Sequence, residues 1–171
     1  LDISYCTYSI SNDKEWSYSL IHVKSVEFPL QILEELKQSY NYSANQLLLL
    51  DKQLGLFYSQ EVNSFIKEHS INHSEIDAIA SHGHTIFHQP EKGYTYQIGC
   101  GDTIAFHTVI KVINDFRQKD VVAGGQGAPL VPIGDSLLFS SHADSFLNLG
   151  GFANCCVLSP RIIAFDICPA N

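Results

Sequence analysis

Apolar and polar positions alternate at the start of the chain and then switch to a helical period. Ile3 to Ile10 and Trp16 to Phe28 read as two strands joined by the polar turn Ser11-Asn12-Asp13-Lys14. In the second strand Leu20, His22, Lys24 and Val26 share one face, and Ile21, Val23 and Ser25 the other. That imperfect alternation allows burial on both faces. Pro29 opens a helical region with Ile32, Leu33, Leu36 and Tyr40 at helical spacing. Ala44 to His69 predicts one long helix. Leu47, Leu50, Leu54, Phe57, Tyr58, Val62, Phe65 and Ile66 form its broad apolar face, the pattern of a packed core helix.

Shorter elements follow. Ala78-Ile79-Ala80 predicts a buried strand that ends at Ser81-His82-Gly83-His84-Thr85, and Ile86 to Pro90 is expected to leave the sheet. Tyr94 to Ile98 alternates as a strand. Gly99-Cys100-Gly101-Asp102 turns the chain, with Asp102 as the expected N-cap of a helix over Thr103 to Thr108. Val109 to Ile113 reads as a strand leading to Asp115-Phe116-Arg117, then a mixed-charge turn at Gln118-Lys119-Asp120. After a Gly-rich loop, Asp135 to Ser140 predicts a short helix. Ser145 to Leu149 and Phe152 to Leu158 predict a hairpin around Gly150-Gly151, and Ile162 to Phe165 a last strand with Asp166 at its end. Strands interleaved with helices give an α/β class, a mixed sheet flanked by helices.

Composition narrows the function. The 171 residues suit one domain or one lobe, and 45% hydrophobic content supports a core. A net charge of −8 without a Lys/Arg cluster argues against a nucleic-acid partner. No apolar run reaches the roughly 18 residues of a membrane-spanning helix, so no membrane partner is expected. No signal peptide is visible, so the expected location is the cytoplasm. Five cysteines at spacings that fit no zinc motif read as reduced, buried thiols. Leu1-Asp2-Ile3 begins inside an apparent strand and Asn171 stops in an apparent turn, the look of a fragment.

The chemistry-bearing stretch is Asn114 to Pro132. Its Gly124-Gly125-Gln126-Gly127-Ala128-Pro129 loop frees the backbone for close approach to a ligand and then closes it with a rigid Pro. Gly150-Gly151 permits an anion-binding concavity of backbone N–H groups, or is a plain tight turn. Neither loop carries the Lys-Ser/Thr of a Walker A sequence. Asp166 and Asp115, each after a β-branched run, are candidate general bases or plain turn residues. Arg117 faces an anion or forms an ion pair. His82, His84 and His88 raise a metal reading, weakened by Gly83 and by the lack of an acidic partner at fixed offset.

In order along the chain stand Ser81-His82-Gly83-His84-Thr85-Ile86, Gln97-Ile98-Gly99, Asp115-Phe116-Arg117-x-x-Asp120 and Ala123 to Pro132. Leu147-Asn148-Leu149-Gly150-Gly151-Phe152-Ala153-Asn154 and Phe165-Asp166-x-x-Pro169-x-Asn171 complete the series. This combination resembles the anhydro-N-acetylmuramic acid kinase family, within the superfamily of sugar kinases, actin and heat-shock ATPases. The resemblance implies a ribonuclease-H-like (actin-like ATPase) lobe. Residues 1–171 would be a single N-terminal lobe of a two-lobe enzyme, without the N-terminal phosphate loop and the C-terminal lobe.

The implied reaction uses ATP and Mg²⁺ to phosphorylate 1,6-anhydro-N-acetylmuramic acid at O6 while water opens the anhydro ring, in peptidoglycan recycling. It implies Asp166 as the catalytic base. It implies sugar contacts from Thr85, His82, Arg117, Gly125, Gln126, Gly127 and Ala128, and ATP contacts from Gly150, Gly151 and Asn148. It implies no protein-bound metal site, a homodimer for the full-length enzyme, and an inactive isolated lobe. The chain departs from the family pattern at His84, where Gln is usual, and at Cys168 and Ala170, where Gly is usual. The alternatives are a non-catalytic sugar-binding module and a metal hydrolase built on the three histidines.

Overall fold

A computed structural model describes residues 1–170, so the Asn171 end of the Phe165–Asn171 motif lies outside the described residues. The chain is mixed α/β and divides into two compact units. Leu1–Tyr5 with His22–Gly127 form the first, and Cys6–Ile21 with Ala128 onward form the second. The hairpin of β1 (Asp2–Ile10) and β2 (Trp16–Ser25) contributes its base to the first unit and its tip to the second.

In the first unit, α1 (Leu30–Gln38) and α2 (Ala44–Glu68) follow the expected boundaries closely. Ser43 and Gln46 form a reciprocal capping box that starts α2. Seven of the eight apolar positions expected on α2, all but Val62, are buried. Leu50 and Leu54 join Leu36, Phe57, Tyr58, Ile98 and Ile104 in one core cluster. Burying a Leu or Phe side chain contributes about 1.5–3 kcal/mol, so this cluster anchors the unit.

Two small sheets lie in this unit. β3 (Ile79–Ser81) pairs in parallel with β6 (Val112–Asn114), Ser81 opposite Asn114. β4 (His84–Gln89) pairs antiparallel with β5 (Tyr94–Ile98), Thr85 opposite Gln97. The β4 strand corrects the expectation that Ile86 to Pro90 leaves the sheet. Alternation is blurred there by a register shift between Thr85 and Phe87.

Three further expectations are corrected. The N-cap of α3 (Gly101–Thr108) is Cys100, whose Sγ accepts the Thr103 N–H; Asp102 lies inside the first turn. Val109 is the left-handed C-cap of that helix rather than the start of a strand. Gln118-Lys119-Asp120 is not a turn but the start of α4 (Gln118–Val122).

The second unit contains α5 (Val131–Gly134), a π-type turn over Asp135–Phe139, and an antiparallel sheet ordered β7-β8-β9. These strands are Ser145–Leu149, Phe152–Val157 and Ile163–Pro169. Phe139 packs edge-on to Tyr18, ring centroids 5.4 Å apart, and lies 6.1 Å from the ring of Phe146. The last strand is longer than expected: it runs through Asp166, which faces Asn154 across the sheet instead of lying beyond the strand end. Of the five thiols only Cys156 is buried, and Cys168 is exposed, so the expectation of uniformly buried cysteines is corrected.

Candidate functional site

In the first unit the parallel strands β3 and β6 end at Ser81 and Asn114. The crevice beyond the carboxyl ends of parallel strands is where open α/β sheets bind ligands. Here it is a polar cleft of about 500 Å³, bordered by Ser81, His82, Gly83, Asn114, Asp115 and Gln118, with Gln97 and Cys100 on the β5–α3 side. Asp115 holds a left-handed backbone, φ 61°. Asp tolerates that conformation better than most residues, and such positions concentrate at functional sites.

Sequence-expected residues meet beside this cleft. Arg117 Nε donates to His82 Nε2 at 2.9 Å, and Arg117 Nη1 donates to the Gly127 carbonyl at 2.7 Å. Because Nε2 accepts, the His82 proton sits on Nδ1 and is donated to the Gly83 carbonyl, 2.9 Å away. Partial desolvation of the ring lowers the His82 pKa; the Gly83 carbonyl opposes this and the Arg117 charge adds to it. His82 is thus neutral near pH 7, with both ring nitrogens engaged, which removes it from the histidine metal reading.

Asp120, which the sequence puts in an expected turn and at the end of the Asp115-Phe116-Arg117-x-x-Asp120 motif, anchors the Gly-rich loop. Its Oδ2 accepts the Gly127 N–H at 2.7 Å. A Cβ at Gly125 would collide with the same carboxylate, and one at Gly127 would lie 2.6 Å from Val121 Cγ2. A side chain at Gly125 would thus push the Asp120 carboxylate aside, and at Gly127 glycine is favoured both by φ +66° and by the close Val121 side chain. Gln126 is exposed between them. Thr85 Oγ1 is 3.3 Å from its donor, Gln97 Nε2.

On the cleft wall, Lys52 Nζ donates to Cys100 Sγ at 2.8 Å. Burial pushes the Cys100 thiol up, but the hydrogen bonds from Lys52 and Thr103 outweigh it and hold the thiol below its ordinary value. Asp51 Oδ1 accepts the Gly99 N–H at 2.8 Å, tying α2 to the turn before α3.

In the second unit Asn148, Asn154 and Asp166 are consecutive cross-strand partners over β7, β8 and β9. They form a polar row on one face of a largely apolar sheet. The register slips by one between Ala153 and Asn154, leaving Ile167 as the extra residue directly after Asp166. Such bulges re-aim neighbouring side chains and recur beside active sites. Gly150 and Gly151 form the turn from β7 to β8, where a Cβ at Gly151 would meet nothing within 4 Å. Ala128 opens this unit, while Thr85, His82, Arg117, Gly125, Gln126 and Gly127 belong to the first.

The family model for anhydro-N-acetylmuramic acid kinase matches residues 10–171. The chain belongs to the anhydro-N-acetylmuramic acid kinase family.

Curated relatives carrying that name include one from Shewanella frigidimarina, 42% identical over 149 residues, which make up 83% of this chain and 40% of the relative. One from Actinobacillus pleuropneumoniae serotype 5b is 40% identical over 145 residues, 81% of this chain and 39% of the relative. One from Sulfurovum sp. is 38% identical over 155 residues, 86% of this chain and 43% of the relative. The chain thus spans about two fifths of the length of these relatives. Residues outside the motifs also belong to the cleft, Gln118, Asp51 and Lys52, as does Gln97 of the Gln97-Ile98-Gly99 motif, which carries no expected role. Their signal was weak, since isolated Gln, Asp and Lys residues on helices and strands look like ordinary surface positions.

Proposed function

We propose that this chain is the N-terminal lobe of a two-lobe kinase. In that reading the enzyme transfers the γ-phosphoryl group of ATP to O6 of 1,6-anhydro-N-acetylmuramic acid and opens the anhydro ring with water. Family membership over residues 10–171 supports the reading. The observation that carries it is the polar cleft at the ends of β3 and β6, flanked by the His82–Arg117–Gly127 network. A ribonuclease-H-like lobe of the actin-like ATPase class accommodates the parallel β3–β6 pair and its flanking helices, and is proposed with it.

In this mechanism Asp166 accepts a proton from water as the water oxygen bonds to C1. The C1–O6 bond breaks, and O6 takes the γ-phosphoryl group as ADP leaves. Water is a weak nucleophile toward an acetal carbon, so a positioned carboxylate lowers the barrier. Asn154, opposite Asp166, and Asn148 add amide groups along the same row. Arg117, His82, Thr85 and the Gly125–Ala128 segment would hold the sugar, and the backbone N–H groups of Gly150 and Gly151 the nucleotide phosphates.

Among the described residues no three His, Cys, Asp or Glu side chains group to hold a metal. Mg²⁺ would be held chiefly by the nucleotide phosphates and water, with the Asn148 and Asn154 amide oxygens as hard donors within the row, which leaves the Asp166 carboxylate free as the base. Mg²⁺ would there neutralise charge developing on the transferred phosphoryl group. No helix among the described residues is long and apolar enough to cross a membrane; a cytoplasmic enzyme of peptidoglycan recycling, homodimeric when full-length, completes the proposal. Sugar-dependent ADP release by the full-length protein tests it.

A further inference from the structure

Asp135, in the second unit, is a buried acid without a cationic partner among the described residues. It opens the π-type turn and is only 6% exposed. Its neighbour is the Cys156 thiol, which burial, then the Asp135 charge and hydrogen bond, push above its ordinary value. A thiol is a weak donor. The described side-chain oxygens that are both sealed and unpartnered belong to Gln97 and Gln118, so the Asp135 carboxylate is not sealed off. It lines a cavity of about 290 Å³ formed within this unit alone.

A buried charge is costly unless it is paired, so an acid held at a cavity wall calls for a donor inside the cavity. The rest of the lining indicates which group brings that donor. Val131, Phe139 and Phe146 make an apolar wall, and Asn148 and Asn154 add amide groups. A phosphate is repelled by the carboxylate, and a lone hydroxyl leaves the apolar wall unused. A short acylamino group matches all three features. Its N–H meets the carboxylate, its carbonyl an Asn amide, and its methyl the apolar wall.

Position adds to the fit. Asn154 faces Asp166 across the sheet, and Cys156 faces Ala164 on the same side. Ala164, at the cavity wall, is thus two strand residues from Asp166, about 7 Å. In an amino sugar the acylamino carbon, C2, adjoins C1, the carbon that water attacks in the proposed reaction.

We propose that this cavity takes the 2-acetamido group of the sugar, and that Asp135 selects it by accepting its N–H. The inference rests on the kinase reading for the identity of the sugar. A site that pairs a substrate donor rejects an analogue without it, because its buried acceptor is then stranded.

The test is calorimetric titration of the full-length protein, without nucleotide, with 1,6-anhydro-N-acetylmuramic acid and with its analogue bearing hydrogen in place of the 2-acetamido group. Wild type is expected to prefer the acetamido sugar by about tenfold or more. Asp135→Leu is expected to bind that sugar about tenfold more weakly and the analogue equally well, so the preference collapses. Its ligand-free melting temperature should hold or rise, because a buried acid without a cation has been removed. Asp135→Asn, which keeps the shape and an acceptor without the charge, should fall between; if Asp135→Leu does not fold, it decides by the same ratio.

Acetamido-sugar binding by wild type, with a preference that is absent or persists undiminished in the variants, overturns this inference and leaves the kinase reading standing. Equal loss of both affinities together with melting temperature does the same, as the mark of a merely structural acid. No binding of the acetamido sugar by wild type overturns the kinase reading, and this inference with it.

Discussion

Arg117 and His82 are joined by a 2.9 Å hydrogen bond from Nε to Nε2, across 35 positions of sequence. This bond exists only while His82 is neutral, since a protonated ring has no acceptor to offer. The lowered pKa of His82, from desolvation and then the neighbouring guanidinium, matches that requirement. His84 is lowered as well, by burial first and then by His82.

A folded-state pKa below the unfolded value means that the unfolded chain binds protons first as pH falls. Stability is therefore full above the ordinary histidine value of about 6.5 and declines as pH drops below it. Thermal melting measured from pH 7.5 to pH 5 should show this decline in wild type. It should be shallower in His82→Gln, whose side-chain oxygen accepts from Arg117 and does not titrate. A residual slope from His84 is expected to remain. Identical slopes in the two proteins would contradict the assignment.

Asp120 should matter more to the Gly-rich loop than a surface aspartate does. Its carboxylate takes the Gly127 N–H, and Arg117 holds the Gly127 carbonyl. Asp120→Ala removes a charge-assisted bond of about 1.5–3 kcal/mol. Denaturant unfolding should register a loss in that range. Hydrogen exchange at the Gly127 amide should accelerate well beyond the global change.

Gly83 and Gly99 cannot carry side chains. Gly83 has φ +74°, and a Cβ there would lie 2.5 Å from the Ile98 carbonyl oxygen, a backbone atom that cannot swing away. At Gly99, φ +115°, it would lie 2.7 Å from Tyr58 Cε2. The left-handed backbone alone costs a residue with a Cβ about 1–2 kcal/mol, and the steric term adds to it. Gly83→Ala should exceed that loss in chemical denaturation. An equal substitution at Gly124, where φ is +88° and no atom lies within 4 Å, should cost only the backbone term.

The long helix supplies the unit's main hydrophobic anchor. Leu54, with 0% exposure, should cost about 2–5 kcal/mol as Leu54→Ala. Ser43→Ala, which dismantles the capping box, should cost about 1 kcal/mol. Equal losses for the two would mean that α2 is stabilised by its cap rather than by its packing.

Much of this architecture is legible in the sequence, and the failures have specific physical causes. α2 is readable because eight apolar residues, Leu47 to Ile66, keep a helical period over about five turns. The β1–β2 hairpin, β5 and the β7–β8 hairpin are readable because turn residues bracket each run. α4 is not, since Gln118-Lys119-Asp120 has the composition of a turn. Its helix is secured instead by tertiary contacts of Val121 and Asp120 with the loop. β4 is obscured by its bulge. Cys100 is overlooked as a cap because Asp102 is the stronger capping residue by type, and Lys52, from α2, engages the thiol. Asp166 is misplaced by the continuation of β9 through Ile167 to Pro169.

For the site, the motif residues His82, Arg117, Asp120 and Gly127 form one hydrogen-bonded network, as their clustering in the motifs suggests. Gln97 stands in the motif series, but the buried, unpaired state of its Oε1 and that of Gln118 is a property of packing, invisible in a list of residue types.

The central claim is tested most directly by coupled ADP release from the full-length protein with ATP, Mg²⁺ and 1,6-anhydro-N-acetylmuramic acid, comparing wild type with Asp166→Asn. Sugar-dependent release that falls by about three orders of magnitude in Asp166→Asn, with sugar affinity retained, is the predicted result. Sugar binding without any ADP release by wild type, or undiminished release by Asp166→Asn, would contradict the account.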